Sequence, residues 1–225
     1  MAEQLYIPPP NLNWLLATLV EHHGKLDWWP ANSFFEILIG AVLTQNTAWQ
    51  NVEKALKNLR DEGLVDPETI LNAPDQQLPQ AIRPSGYFNI KAQRLRNLCR
   101  AYLLAGGFAG MAELETARLR RHLLDINGVG RETADDILLY AFARPVFVID
   151  AYTRRIFSRL GWISGKEHYE TLRGAVEQAI GPDAETFNEL HAQLVILGKD
   201  ICRPKPRCPY CPLNLACAYP YPTDS

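Results

Sequence analysis

Apolar residues recur along this chain every three to four positions, and the pattern is helical almost from end to end. Ser33 and Glu36 form a capping box ahead of the nearly unbroken apolar run Ile37 to Leu43, which predicts a buried central helix. Thr47 and Gln50 repeat that signature before a helix that turns Val52, Ala55, Leu56 and Leu59 inward. Asp66-Pro67-Glu68 reads as a helix start with proline at its first position. Asn89 to Leu104 is amphipathic and is closed by Gly106-Gly107. Leu119 to Leu124 leads into Asn127-Gly128-Val129-Gly130, and a helix from about Arg131 to Phe142 stops before Pro145. Val146 to Ile149 is apolar but has no partner run, so it is expected to thread the core as extended chain. Further helices are predicted over roughly 151–160, 167–179 and 184–198. Neither a repeat nor a low-complexity linker interrupts the pattern, and the fold class is all-α.

Composition adds bounds to this picture. A chain of 225 residues, 47% hydrophobic and 21% charged, can form one large domain or two small lobes with a real core. No stretch reaches the roughly 18–20 apolar residues of a membrane span. The opening MAEQLYIPPPN lacks a basic region followed by an apolar one, so a cytoplasmic protein that engages no membrane is expected. The formal net charge is −2, which does not announce a nucleic-acid binder. The distribution says more than the sum. Basic residues gather at Lys91, Arg94, Arg96 and Arg100, at Arg118, Arg120 and Arg121, at Arg154, Arg155 and Arg159, and at Lys199, Arg203, Lys205 and Arg207. These stretches read equally as phosphate-binding faces and as solvated helix faces.

Cys99 stands alone in an apolar helical pattern and reads as a core residue. The other four cysteines, Cys202, Cys208, Cys211 and Cys217, are spaced C-x5-C-x2-C-x5-C, close enough to surround one metal centre. Structural zinc sites usually pair two tight C-x2–4-C units across a longer loop. Here a single tight pair is flanked by two medium loops. That suits an iron–sulfur cubane better, with zinc as the rival.

Two further features bear on chemistry. The Asn127-Gly128-Val129-Gly130 turn joins two helical segments, permits positive φ, and presents the free N–H groups of the next helix, a ready phosphate site. Asp150 closes the apolar run Val148-Ile149. It serves as the N-cap of the helix starting near Ala151, as a reactive carboxylate, or as both.

Taken in order, five blocks resemble the endonuclease III superfamily of DNA glycosylases. They are Phe34-Phe35-Glu36 with Leu43-Thr44-Gln45-Asn46-Thr47; Gly86-Tyr87-Phe88-Asn89 with Lys91-Ala92; Gly128-Val129-Gly130 with Thr133-Ala134; Asp150; and the cysteine cluster. The loop from Cys202 to Cys208 is one residue shorter than is usual there, with all four ligands present. The resemblance implies a two-lobed helix-hairpin-helix fold. A six-helix lobe spans 31–144, and a cluster lobe joins 1–30 to 145–225, with a [4Fe–4S] cluster held in the loop 202–217. It implies a monomer on double-stranded DNA containing a damaged base, with the duplex across the cleft. Gly128, Val129, Gly130 and Arg131 would meet phosphate, and Gln45 or Asn46 would fill the gap left by a base flipped toward Asp150.

One departure bears on the reaction. Bifunctional members carry a lysine immediately before Thr133-Ala134, where it forms a Schiff base with the sugar. Glu132 stands at that position and cannot form an imine, which implies a monofunctional enzyme without lyase activity. Trp28-Trp29-Pro30, Gln45-Asn46-Thr47 followed by Trp49, and Arg83-Pro84-Ser85-Gly86-Tyr87 look like the 3-methyladenine glycosylase III branch, some members of which lack the cluster. The expected function is therefore base excision repair of an alkylated base, in a pocket formed by Trp28, Trp29, Trp49 and Glu132. A gap between Trp28 or Trp29 on one side and Trp49 on the other would admit the purine. The alternatives are a glycosylase for oxidised pyrimidines or mismatched bases, and a non-catalytic iron–sulfur DNA-binding protein. Asp150 speaks against the last of these.

Overall fold

The computed structural model describes residues 9–26 and 28–219, with side chains from Asn11 onward. Most of the opening segment on which the absence of a leader was read, residues 1–8, lies outside the described residues. Among the described residues the regular structure is helical, without strands. In chain order the helices are α1 (Pro9–His23), α2 (Phe34–Leu43), α3 (Trp49–Asp61), α4 (Pro67–Asn72), α5 (Gln77–Ala81), α6 (Phe88–Leu104), α7 (Gly107–Ala112), α8 (Thr116–Leu124), α9 (Arg131–Asp136), α10 (Ala151–Arg159), α11 (Tyr169–Ile180) and α12 (Ala184–Asp200). None is long and apolar enough to cross a membrane. The chain divides into two compact units. One is continuous, Trp29–Arg144; the other joins Met1–Trp28 to Pro145–Ser225.

The continuous unit is built around α2. Every residue from Phe35 to Leu43 is buried, as a helix apolar on all sides requires. Ser33 caps it by accepting from the Glu36 N–H at 3.2 Å. The reciprocal half of the expected box is shifted by one residue: the Glu36 carboxylate accepts from the Asn32 N–H at 2.8 Å and from Arg60 at 3.2 Å, so this buried charge is paired. The second expected cap does not form. Helix α3 begins at Trp49 after Ala48, with no side-chain cap, because the Thr47 hydroxyl is engaged elsewhere. Its inward face of Val52, Ala55, Leu56 and Leu59 is as expected. Asp66 caps α4, accepting from Glu68 and Thr69 with Pro67 in the first turn. After α9 the helix widens into a π-helical turn over Ile137–Ala141, fully buried.

In the second unit α12 packs on α1 and α10, and α1 on α11. Gly198 permits the close approach of α10, since a Cβ there would lie 2.5 Å from Tyr152 Cδ1. Val146 to Ile149 run buried and extended, as expected. Such a thread must find partners for its own amides. The Phe147 N–H donates to Glu177 Oε1 at 2.9 Å, and the Ile149 N–H reaches the Tyr169 hydroxyl at 3.4 Å. Among the described residues beyond α12 there are two single turns of 3-10 helix, Cys208–Tyr210 and Asn214–Ala216.

Candidate functional site

In the continuous unit, the turn between α8 and α9 is held from both sides. Arg120 donates Nε and Nη2 to the buried Asp135 carboxylate at 2.6 and 3.1 Å, tying one helix to the other. Val129 is buried and anchors the turn. Gly128 has φ +99°, and a Cβ there would lie 2.2 Å from Arg94 Cγ, so only glycine fits. Gly130 is different: its φ of −91° suits any residue and a Cβ would meet nothing within 4 Å. No internal contact explains it. It is the N-cap of α9 and gives no side chain to the first-turn N–H groups.

Three stretches distant in sequence meet at this turn. Gln45, Asn46 and Arg94 line one open concavity of about 500 Å³ with the residues from Gly128 through Thr133. Within it, Gln45 and Asn46 have opposite roles. The Gln45 amide donates to Gly128 O at 3.0 Å and to Thr133 Oγ1 at 2.9 Å, and its oxygen accepts from Arg94. Asn46 is exposed, with φ +52° in the left-handed region. Glu132 is exposed in the same concavity.

The tryptophans close one of the two expected gaps, that between Trp29 and Trp49. Trp29 meets Trp49 edge to face, centroids 5.0 Å apart at 88°, and Tyr140 at 5.0 Å. It also lies over Gly40, where a Cβ would be 3.0 Å from its ring. A flat base between two indoles needs parallel faces about 7 Å apart, twice a van der Waals contact. The Trp29–Trp49 pair offers no such gap. Trp49 donates its ring N–H to Glu53 at 3.0 Å and is half-buried. Trp28 is half-buried and belongs to the other unit.

In that other unit Asp150 caps α10. Its Oδ1 accepts from the Thr153 N–H at 2.7 Å, while Oδ2 lies 3.7 Å from His191 Nε2. Burial pushes the His191 pKa below its ordinary value, against the pull of Asp150, so the imidazole is neutral near pH 7. The four C-terminal cysteines are not disulfide-bonded and line a single cavity of about 300 Å³ together with Arg159, Asn214 and Tyr219. Arg159 donates to Cys202 Sγ at 3.2 Å, and the Cys217 thiol donates to Arg159 O at 3.3 Å. Burial first, and then the nearness of the other three cysteines, pushes the Cys211 thiol up. Among the described residues no three His, Cys, Asp or Glu groups converge as ligands of a single ion.

Several basic residues counted as possible phosphate contacts are engaged by the protein itself. Arg94 and Arg120 are engaged as above. Arg155 bonds Cys202 O and Gly198 O, and Arg159 bonds Arg203 O and Pro204 O. Lys91 is 1% exposed. Arg100, Arg118, Arg121, Arg131, Lys199, Arg203, Lys205 and Arg207 remain exposed. Sequence reasoning gave Tyr87 no role, although it is 68% exposed with φ +46°, and left Ile90 unmentioned, although it is 54% exposed beside the turn.

Comparison with known proteins accounts for this arrangement. Residues 39–182 match the family model described as the HhH-GPD superfamily base excision DNA repair protein. A candidate DNA repair glycosylase of Methanocaldococcus jannaschii is 43% identical over 88% of this chain and 92% of its own length. Endonuclease III of Thermotoga maritima is 32% identical over 82% of this chain and 83% of its own. Among solved structures, the H. pylori 3-methyladenine DNA glycosylase MagIII bound to 1,N6-ethenoadenine superposes with a TM-score of 0.74 at 30% identity, covering 86% of this chain and 98% of that one. An endonuclease III in non-covalent complex with DNA superposes with a TM-score of 0.79 at 25% identity, covering 94% and 95%. The chain is a DNA glycosylase fold of two helical units and belongs to the HhH-GPD superfamily of base excision DNA repair proteins.

Proposed function

We propose that this protein is a monofunctional DNA N-glycosylase that removes alkylated, 3-methyladenine-like bases and leaves an abasic site, acting as a monomer in the cytoplasm. The observation that carries the monofunctional reading is Glu132, exposed beside the hairpin where an amine would be needed for imine formation. Lys91 does not replace that amine, since it is buried with three oxygen partners. The alkylated-base reading is supported by the likeness to MagIII and by the aromatic group of Trp29, Trp49 and Tyr140. Electron-rich rings attract a flat cationic base. Because Trp29 and Trp49 are in contact, the base stacks on an outer ring face rather than between them. An alkylated base is already charged, so it leaves with the glycosidic electron pair without protonation by the enzyme. Asp150 supplies a carboxylate against the positive charge that develops on the sugar, and it orients the water that adds at C1′. Phosphate would rest on the bare turn at Gly130 and beside Arg131, with Asn46 entering the space vacated by the flipped base.

Cys202, Cys208, Cys211 and Cys217 would hold a [4Fe–4S] cluster. Four cysteines lining one cavity suit a cubane that takes one thiolate at each of its four irons. Bound there, the cluster would cross-link a segment with little helix of its own.

The test is incubation with duplexes carrying 3-methyladenine or an oxidised pyrimidine, with identification of the released base and borohydride added to trap any imine. Release of 3-methyladenine without trapping is expected. Preference for the oxidised pyrimidine overturns the substrate, and efficient trapping overturns the monofunctional reading.

A further inference from the structure

Asn46 is an asparagine in the left-handed region, φ +52°, and both of its neighbours turn their side chains into the protein. On one side the Gln45 amide bonds Gly128 O, Thr133 Oγ1 and Arg94, which joins this residue to the hairpin. On the other side Thr47 Oγ1 donates to Ser85 O and accepts from Lys91 Nζ at 2.7 Å. Lys91 also donates to Leu43 O at 2.8 Å and Ser85 O at 2.7 Å. All three ammonium protons are therefore used, and none of the three acceptors carries a charge. Burying an ammonium without a counter-ion is unfavourable. Burial, with Arg94 one turn away, lowers the Lys91 pKa to about 8. A leucine or methionine would fill the same volume without that penalty. What the lysine adds is a three-point tie between the end of α2, the residue after Asn46 and the turn at Ser85.

We propose that Gln45 and Lys91 are positioning residues that clamp the two neighbours of Asn46, holding its side chain outward as a rigid insert for the DNA duplex and coupling it to the hairpin. The clamp leaves Asn46 no route to fold back when the duplex presses on it. Through Gln45, the same insert is set by the backbone that meets phosphate, so binding at the hairpin and opening of the duplex occur in one register. The proposal rests on the reading of Asn46 as the residue that enters the duplex.

The experiment uses the full-length protein and a duplex with 2-aminopurine next to the damaged base, whose fluorescence rises as the base unstacks. Affinity for undamaged duplex, single-turnover excision and melting temperature are measured in parallel. Lys91→Met is expected to bind undamaged duplex like the parent, and both it and Gln45→Ala to lose about 10–100-fold in unstacking and excision rate, the order expected when a reacting group is misplaced by an ångström. Thr47→Val removes only the hydroxyl link and leaves each buried carbonyl its lysine donor. It is expected to lose less in the same direction, and it decides the matter if Lys91→Met does not fold. Parent-like rates in Thr47→Val and Gln45→Ala overturn the clamp, as does a parallel loss of affinity, rate and melting temperature in both. Asn46→Ala separates the two levels. Loss with Asn46→Ala alone overturns the clamp only, whereas parent-like unstacking by Asn46→Ala overturns the insertion reading and the clamp with it.

Discussion

The two units reach a defined site by different means. In 29–144 the functional surface is fixed by the chain's own hydrogen bonds: Gln45 to the hairpin, Lys91 to three oxygens, Arg120 to Asp135, Glu36 to Arg60. In 145–219 the segment after α12 has two single helical turns and four thiols around a cavity. A site closed by internal hydrogen bonds is complete once folded. On the proposed reading a site closed by thiols depends on the cluster they would hold, because a short segment without long helices has little apolar surface to bury. Stability and chemistry are therefore expected to respond to different perturbations in the two units.

The largest effect should come from the thiols. Cys208→Ser or Cys211→Ser is expected to abolish iron and sulfide binding and to unfold the segment after α12, while 29–144 keeps its amide protection. Hydrogen exchange resolved by segment, together with visible absorption, checks this. A parent-like, colourless variant would mean the segment orders itself, and the contrast between the units would be lost. Next comes Asp150→Asn. Asparagine caps a helix as well as aspartate does, so melting should be unchanged. Base release in single turnover should fall about 10²–10³-fold, as when a group that stabilises transition-state charge is removed. Excision at the parent rate would leave this unit with structure only.

Gly130→Asp acts on the other unit and should be milder. The backbone accommodates a side chain there without strain, so any effect comes from charge at the phosphate site. Affinity for every duplex should fall alike and the salt slope should drop by about one, with melting and visible absorption intact. The smallest effect is a pH dependence carried by Lys91. Its pKa is about 8 in the fold against 10.5 for the free side chain. Between those values the unfolded chain binds more protons, so this group's contribution to stability grows as pH rises through the window and is lost as pH falls through about 8. The melting difference between the parent and Lys91→Met should therefore move in the parent's favour by about 3–5 °C per pH unit across that window. A difference that stays flat with pH would show that Lys91 is not held as a buried ammonium.

Local readings of the chain succeeded where the physics is local. Ser33, Asp66 and Asp150 act as caps because a cap bonds to amides two or three residues away. Thr47 carries the same local signature and fails as a cap, because Ser85 and Lys91 compete for its hydroxyl from 38 and 44 residues away. Arg94 and Arg120 counted as surface charge until tertiary partners turned them inward. The tryptophans were legible as an aromatic group, but whether two rings stack apart or meet edge to face depends on what packs behind them, here Gly40 and Tyr140.

By itself, then, the sequence determined most of the helices (though not α1, α5 or α7), their inward faces, the hairpin with its two glycines, the cysteine spacing, and the absence of a lysine before Thr133. Each is a matter of periodicity or residue identity within a few positions. Only the tertiary structure decided which of two adjacent amides is exposed, that Gly128 is required by Arg94 while Gly130 is required by nothing inside, and that Lys91 is buried. Those choices are made by groups that meet across roughly 30 to 90 residues of chain, such as Gln45 with Thr133 and Lys91 with Leu43. A side chain's partners at that range are set by packing, which no local pattern encodes.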